Sequence, residues 1–136
     1  MNNMTPELYW LTLTVLLTAS MWVPYVLDRM AVRGILQTVT DRGPEGSGPQ
    51  SVWAKRAIRA HQNAIENLAI FAPLVLTAHL LHFSTHGTKM AAALYFFARL
   101  AHFIVYTAGL PTLRTFAFTG GFVAQIIFVV TILRGI

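Results

Sequence analysis

The chain of 136 residues is 55% hydrophobic and only 11% charged, with ten Lys and Arg against five Asp and Glu and no Cys. Soluble domains carry roughly 25% charged residues, so this composition belongs to a membrane protein, and at about 20 apolar residues per crossing the length makes one domain with room for four helices. Disulfides, thiolate metal sites and a protein-borne cysteine nucleophile are excluded, and because the cations sit beside apolar runs without forming a dense basic block, so is a nucleic-acid partner.

In chain order, a first span is predicted over about 5–30, opened by "TPEL" with Thr5 as N-cap, Pro6 at the first helical position and Glu7 near the positive end of the helix dipole. No Lys or Arg precedes its apolar run and no small-residue cleavage site follows it, so it reads as a retained span and not a signal peptide. The stretch "DRGPEGSGPQS" over 41–51 is a loop by its Gly and Pro content. A second helix follows over about 52–82, polar in its first turns and apolar from Leu68 onward. "HFSTHG" is the next break, a third helix runs over about 88–108, "GLP" makes a tight turn, and a fourth helix covers about 112–133. Period-two alternation is absent and the apolar runs are too long for strands, so the predicted fold is all-α, an integral membrane four-helix bundle.

Arg29, Arg33, Arg42, Lys55, Arg56 and Arg59 flank the first connection, and Arg99 and Arg114 lie towards the third, whereas the other face offers mainly Lys89 and Arg134. The positive-inside rule therefore places the first and third connections in the cytoplasm and both termini on the opposite side. Trp10, Trp22 and Trp53 are expected to anchor at the interfaces or to pack against neighbouring helices.

The second helix opens with charges where an apolar face would be cheaper. At about 100° per residue, Arg56, Arg59, Asn63 and Glu66 fall within an arc of roughly 80°. An ionised side chain at the bilayer centre costs about 2.5 to 3.5 kcal/mol on insertion scales, and pairing or water must offset it. On a purely structural reading, Arg59 and Glu66 neutralise each other and Asn63 joins helices. A second stripe favours a ligand: Arg99, His102 and Tyr106 repeat the i, i+3, i+7 spacing on the third helix, and Arg114 opens the fourth. Two polar faces at similar depth imply a shared, net positive site whose planar guanidiniums suit carboxylates. The expected ligand is a small anion with several polar groups.

These residues carry a family resemblance. "RAHQNAIENLAIFAPLVL" resembles the hallmark helix of the MAPEG family, the membrane-associated proteins of eicosanoid and glutathione metabolism, with its Arg-Ala-x-x-Asn-x-x-Glu pattern. "RLAHFIVYTAGLPTLR" is similar to that family's later Arg-x-x-His/Tyr-x-x-x-Tyr segment and its following Arg. The resemblance implies a homotrimer that holds glutathione, as co-substrate, between adjacent subunits near the cytoplasmic face. It assigns Arg59, Asn63 and Glu66 to the tripeptide's charged and amide groups, with Glu66 taking the γ-glutamyl amine. Arg99, His102 and Tyr106 would come from the neighbouring subunit. Arg114 would stand by the thiol as the catalytic residue, since a cation that lowers the thiol pKa by about two units supplies roughly 2.7 kcal/mol. The family also uses an Arg near the end of its first helix, a role for which Arg29 and Arg33 compete and Arg29 is favoured.

The implied activity is that of a glutathione-dependent transferase or peroxidase acting on lipophilic electrophiles or lipid hydroperoxides from the bilayer, a detoxification role in a bacterial-type member of the inner membrane. The alternative is a non-enzymatic membrane subunit whose stripes bind lipid or a larger complex. Four further features carry less. His79, His82 and His86 have no carboxylate in their segment, so no metal site is predicted. His61 lies on the opposite side of its helix from Asn63 and reads as a loop or headgroup contact. "TGGF" at 119–122 reads as a close helix contact. The first loop lacks a phosphate-cradling pattern, so nucleotide hydrolysis finds no support.

Overall fold

The computed structural model describes residues 4–44 and 47–135. Regular structure among them is entirely helical: α1 (Pro6–Ser20), α2 (Trp22–Arg33), α3 (Ile35–Thr40), α4 (Val52–Leu80), α5 (His86–Ala108) and α6 (Pro111–Arg134). With α1 and α2 counted as one segment, Pro6–Arg33, four helical segments among the described residues are long and apolar enough to cross a membrane. Large apolar side chains such as Leu16, Ile70, Phe116 and Leu133 point outward, as lipid-facing spans require.

Local chemistry sets the helix ends. Thr5 accepts a hydrogen bond from the Leu8 N–H (3.3 Å) and Pro6 occupies the first turn of α1. The first span, expected as one uninterrupted helix, is broken at Met21, because Pro24 cannot donate to the Ser20 carbonyl and its ring crowds that oxygen. The sequence reading also assigned nothing to the short α3, which follows Gly34 at φ 89, a left-handed conformation that suits glycine. At α5 a reciprocal Thr85–Thr88 capping box closes the N-terminus, and Gly109 at φ 80 ends the helix. The N–H groups of Gly109 and Leu110 bond back to Tyr106 and Val105 (both 3.0 Å), so α6 starts at once at Pro111.

The core lies between α1, α4, α5 and α6. Phe71 stacks on Tyr95 with ring centroids 3.6 Å apart and meets Phe128 edge-on at 5.6 Å. Towards the other end Tyr25 packs on Ala54, Ala57 and Ile58, where small side chains let α2 lie close to α4. The first loop is tied to α2: Arg33 donates to the carbonyls of Ser47 and Pro49 and pairs with Asp41, while Asp28 accepts from the Ser51 N–H (3.0 Å). Trp10 packs on Phe96 and Phe97 at 5.4 Å each, and Trp22 and Trp53 lie at the exposed surface.

Candidate functional site

Three helices meet at the end of the bundle that carries the α5–α6 turn. From α5, Arg99 is 1% exposed, an extreme burial for a guanidinium. Its Nη1 donates to Asn63 Oδ1 on α4 (3.2 Å), and its charge lies over the rings of Tyr95 (5.5 Å) and Phe118 (5.6 Å). Gly121 on α6 makes the room: a Cβ there would come within 2.7 Å of Arg99 Nη2. Among the described residues Arg99 Nε and Nη2 have no hydrogen-bond partner. The protein thus buries a cation whose one hydrogen bond goes to a neutral amide, an electrostatic debt of several kcal/mol if nothing anionic approaches.

Above Arg99 the polar residues open into a cleft of about 310 Å³ lined by Asn63, His102, Tyr106, Arg114, Thr115 and Phe118. His102 is buried and meets Tyr106 edge-on at 5.5 Å. Arg114 stands over the Tyr106 ring at 4.8 Å, half-exposed at the cleft's edge. The carboxamide of Asn63 is oriented by the Arg99 donor, which fixes Oδ1 towards α5 and leaves Nδ2 for another partner. The cleft therefore offers a guanidinium, an amide, an imidazole and a phenol, with a second guanidinium beneath its floor.

One chain thus brings together Asn63, His102, Tyr106 and Arg114, with Arg99 underneath rather than in the wall. Arg59 and Glu66 stand apart: both are exposed on the outer flank of α4 and form no ion pair among the described residues. Arg29 lines neither this cleft nor the smaller one beside it, and Arg33 is committed to the first loop. Arg56, grouped by spacing with the α4 stripe, instead donates from Nε to the Thr107 carbonyl (2.9 Å), where it caps the C-terminus of α5.

Phe118 and Gly121 entered no sequence-based site, although "TGGF" marked a close approach, and the approach is that of a guanidinium. His61, expected at a loop or headgroup, packs inward with Nδ1 2.9 Å from Tyr25 Oη. Among the described residues no group of three or more His, Cys, Asp or Glu side chains is placed to hold a metal ion.

The model of the MAPEG family matches residues 8–134, almost the whole chain. This chain belongs to the MAPEG family. Comparison with curated proteins returns no significant match. Membership makes this a MAPEG protein of membrane-associated glutathione and eicosanoid metabolism in general, and its four apolar segments make it an integral, multi-pass membrane protein.

Proposed function

We propose that this MAPEG protein is a glutathione-dependent transferase or peroxidase that acts on hydrophobic electrophiles or lipid hydroperoxides, assembled as a homotrimer in a bacterial inner membrane. The observation that carries the reading is Arg99, a buried cation beneath the floor of a polar cleft, with Nε and Nη2 turned to Gly121 and unpartnered among the described residues. A peptide ligand with two carboxylates supplies the missing negative charge, and the donors around the cleft match its carboxylate and amide groups.

Arg59 and Glu66 support the trimer. Left against lipid, each costs up to about 2.5 to 3.5 kcal/mol, and a second copy lying along the outer flank of α4 covers both. Glu66 and Arg59 of one copy would then complete the cleft that the neighbour builds from His102, Tyr106 and Arg114. Within one copy Asn63 meets Arg99, and in this reading the division between subunits runs beside Asn63. In this reading Arg29 is the first-span cation of the site, and Arg33 serves the first loop. The first and third connections lie in the cytoplasm on the positive-inside argument.

Glutathione supplies a thiolate that forms a carbon–sulfur bond to a lipophilic electrophile as its leaving group departs with the bonding pair, or that takes the terminal oxygen of a hydroperoxide as the O–O bond breaks. The second path releases the alcohol and a sulfenic acid that a second glutathione converts to disulfide and water. The chain's own residues prepare it. Arg114 holds its charge at the sulfur and stabilises the ionised form. Arg99 fixes the Asn63 amide, Glu66 receives the ligand's amine, and His102 and Tyr106 form the wall against which the backbone of the tripeptide folds.

The reading is tested by calorimetric titration of glutathione into the purified protein in detergent. Binding should be millimolar or tighter, and Glu66→Gln should weaken it about tenfold, the worth of one hydrogen bond to a charged group, while thermal stability barely moves. A stability loss with unchanged affinity would return Glu66 to a structural role.

A further inference from the structure

At the opposite end of the bundle, Glu7 is 3% exposed where α1 and the start of α5 meet. One carboxylate oxygen is well used: Oε1 accepts from Thr88 Oγ1 (2.6 Å) and Ser84 Oγ (3.0 Å). The other, Oε2, is buried and accepts no hydrogen bond within ordinary geometry among the described residues, although the Thr5 hydroxyl also approaches the carboxylate. Glu7 borders a cleft of about 160 Å³ whose other walls include His79 and His82 at the end of α4, Ser84, and the apolar side chains of Val75 and Phe83. His82 takes a left-handed φ of 59, which turns the chain from α4 towards Ser84. Ser84 and His82 are exposed, so the cleft opens at the surface. Among the described residues no Lys or Arg side chain lines it.

We propose that this cleft binds a primary ammonium group on a short carbon stem, with Glu7 Oε2 as its counter-ion. A buried carboxylate with one oxygen unsatisfied needs a donor, and the described walls of the cleft provide no cation. An ammonium carries three N–H donors, which the carboxylate, an imidazole nitrogen and a hydroxyl oxygen can share, while Val75 and Phe83 suit the stem. A divalent metal fits poorly, since no group of three ligating side chains forms among the described residues. A quaternary ammonium has no N–H to give and is recognised by aromatic cages, whereas this cleft has Phe83 alone of the Phe, Tyr and Trp side chains. The ammonium is that of an ethanolamine-type lipid headgroup or of a free amine. This site does not rest on the glutathione reading.

The test uses the full chain in detergent. Retention of phosphatidylethanolamine against phosphatidylcholine is followed by native mass spectrometry, and stabilisation by free ethanolamine against choline by thermal shift. The primary ammonium should be preferred about tenfold, the value of a hydrogen bond to a charged group. Preference for the lipid alone identifies the headgroup as the source, and preference for the free molecule alone identifies a soluble amine. Glu7→Gln should remove the preference. His79→Leu, which leaves the bonds from Ser84 and Thr88 to Glu7 in place, should reduce it about threefold. Equal binding of primary and quaternary ammonium by the wild type, or an unchanged preference in both variants, overturns the proposal.

Discussion

Arg99 shows how far spacing along a helix can be read and where it stops. The i, i+3, i+7 pattern put Arg99, His102 and Tyr106 on one face, because helical geometry alone fixes that relation. Depth is different: Arg99 lies under the cleft because Gly121 on another helix lets it in, and that is a tertiary fact. Gly121→Ala should accordingly force the guanidinium aside, since its Cβ would stand 2.7 Å from Nη2. The expected cost is about 1–3 kcal/mol, typical of overpacking, seen as a lower thermal midpoint together with weaker glutathione binding through a displaced Asn63. Gly120→Ala is the control, because its Cβ would meet Ala98 Cβ at 3.5 Å, an ordinary contact. Arg56 makes the complementary point, since membership of the α4 stripe did not reveal that its guanidinium caps α5.

Helices were legible wherever caps and apolar runs agree, as at Thr5–Pro6 and at the Gly109–Pro111 turn. The break at Met21 is written in the sequence as Pro24, a residue the reading of the first span did not use. Pro24→Ala should let helix run through Met21, slowing amide exchange in the stretch from Ser20 to Tyr25, whereas unchanged exchange would place the cause of the break elsewhere. The first loop behaves as a clasp. The Asp41 carboxyl is held below its ordinary value, first by the Gly43 N–H (2.9 Å) and then by the charge of Arg33. A depressed carboxyl stabilises the folded loop above its unfolded pKa, and this support is lost as pH falls through the lower folded value. Loop cleavage by an acid-active protease should therefore rise only below about pH 4, the ordinary Asp range. Arg33→Ala should make the loop more readily cleaved at neutral pH.

For the molecule as a whole, the apolar exterior and the four spans were plain from composition, but the placement of Arg59 and Glu66 was not, because both lie exposed outside their own chain's cleft. A shared site gives a definite outcome in mixed assemblies. Glu66→Gln subunits, weakened about tenfold for glutathione, and Arg114→Ala subunits, without the cation at the thiol, should when coexpressed in equal amounts exceed the mean of their separate activities at low glutathione, because one interface in four then combines an intact Glu66 with an intact Arg114. No excess would confine the site to single chains. The most direct measurement is the ultraviolet absorbance of thiolate as glutathione is added across a range of pH. The account predicts a midpoint near about 6.5 for the wild type and a return towards about 8.5, the value of an ordinary thiol, in Arg114→Ala with its assembly intact. A wild-type protein that binds glutathione but leaves its thiol titrating like the free molecule would contradict it.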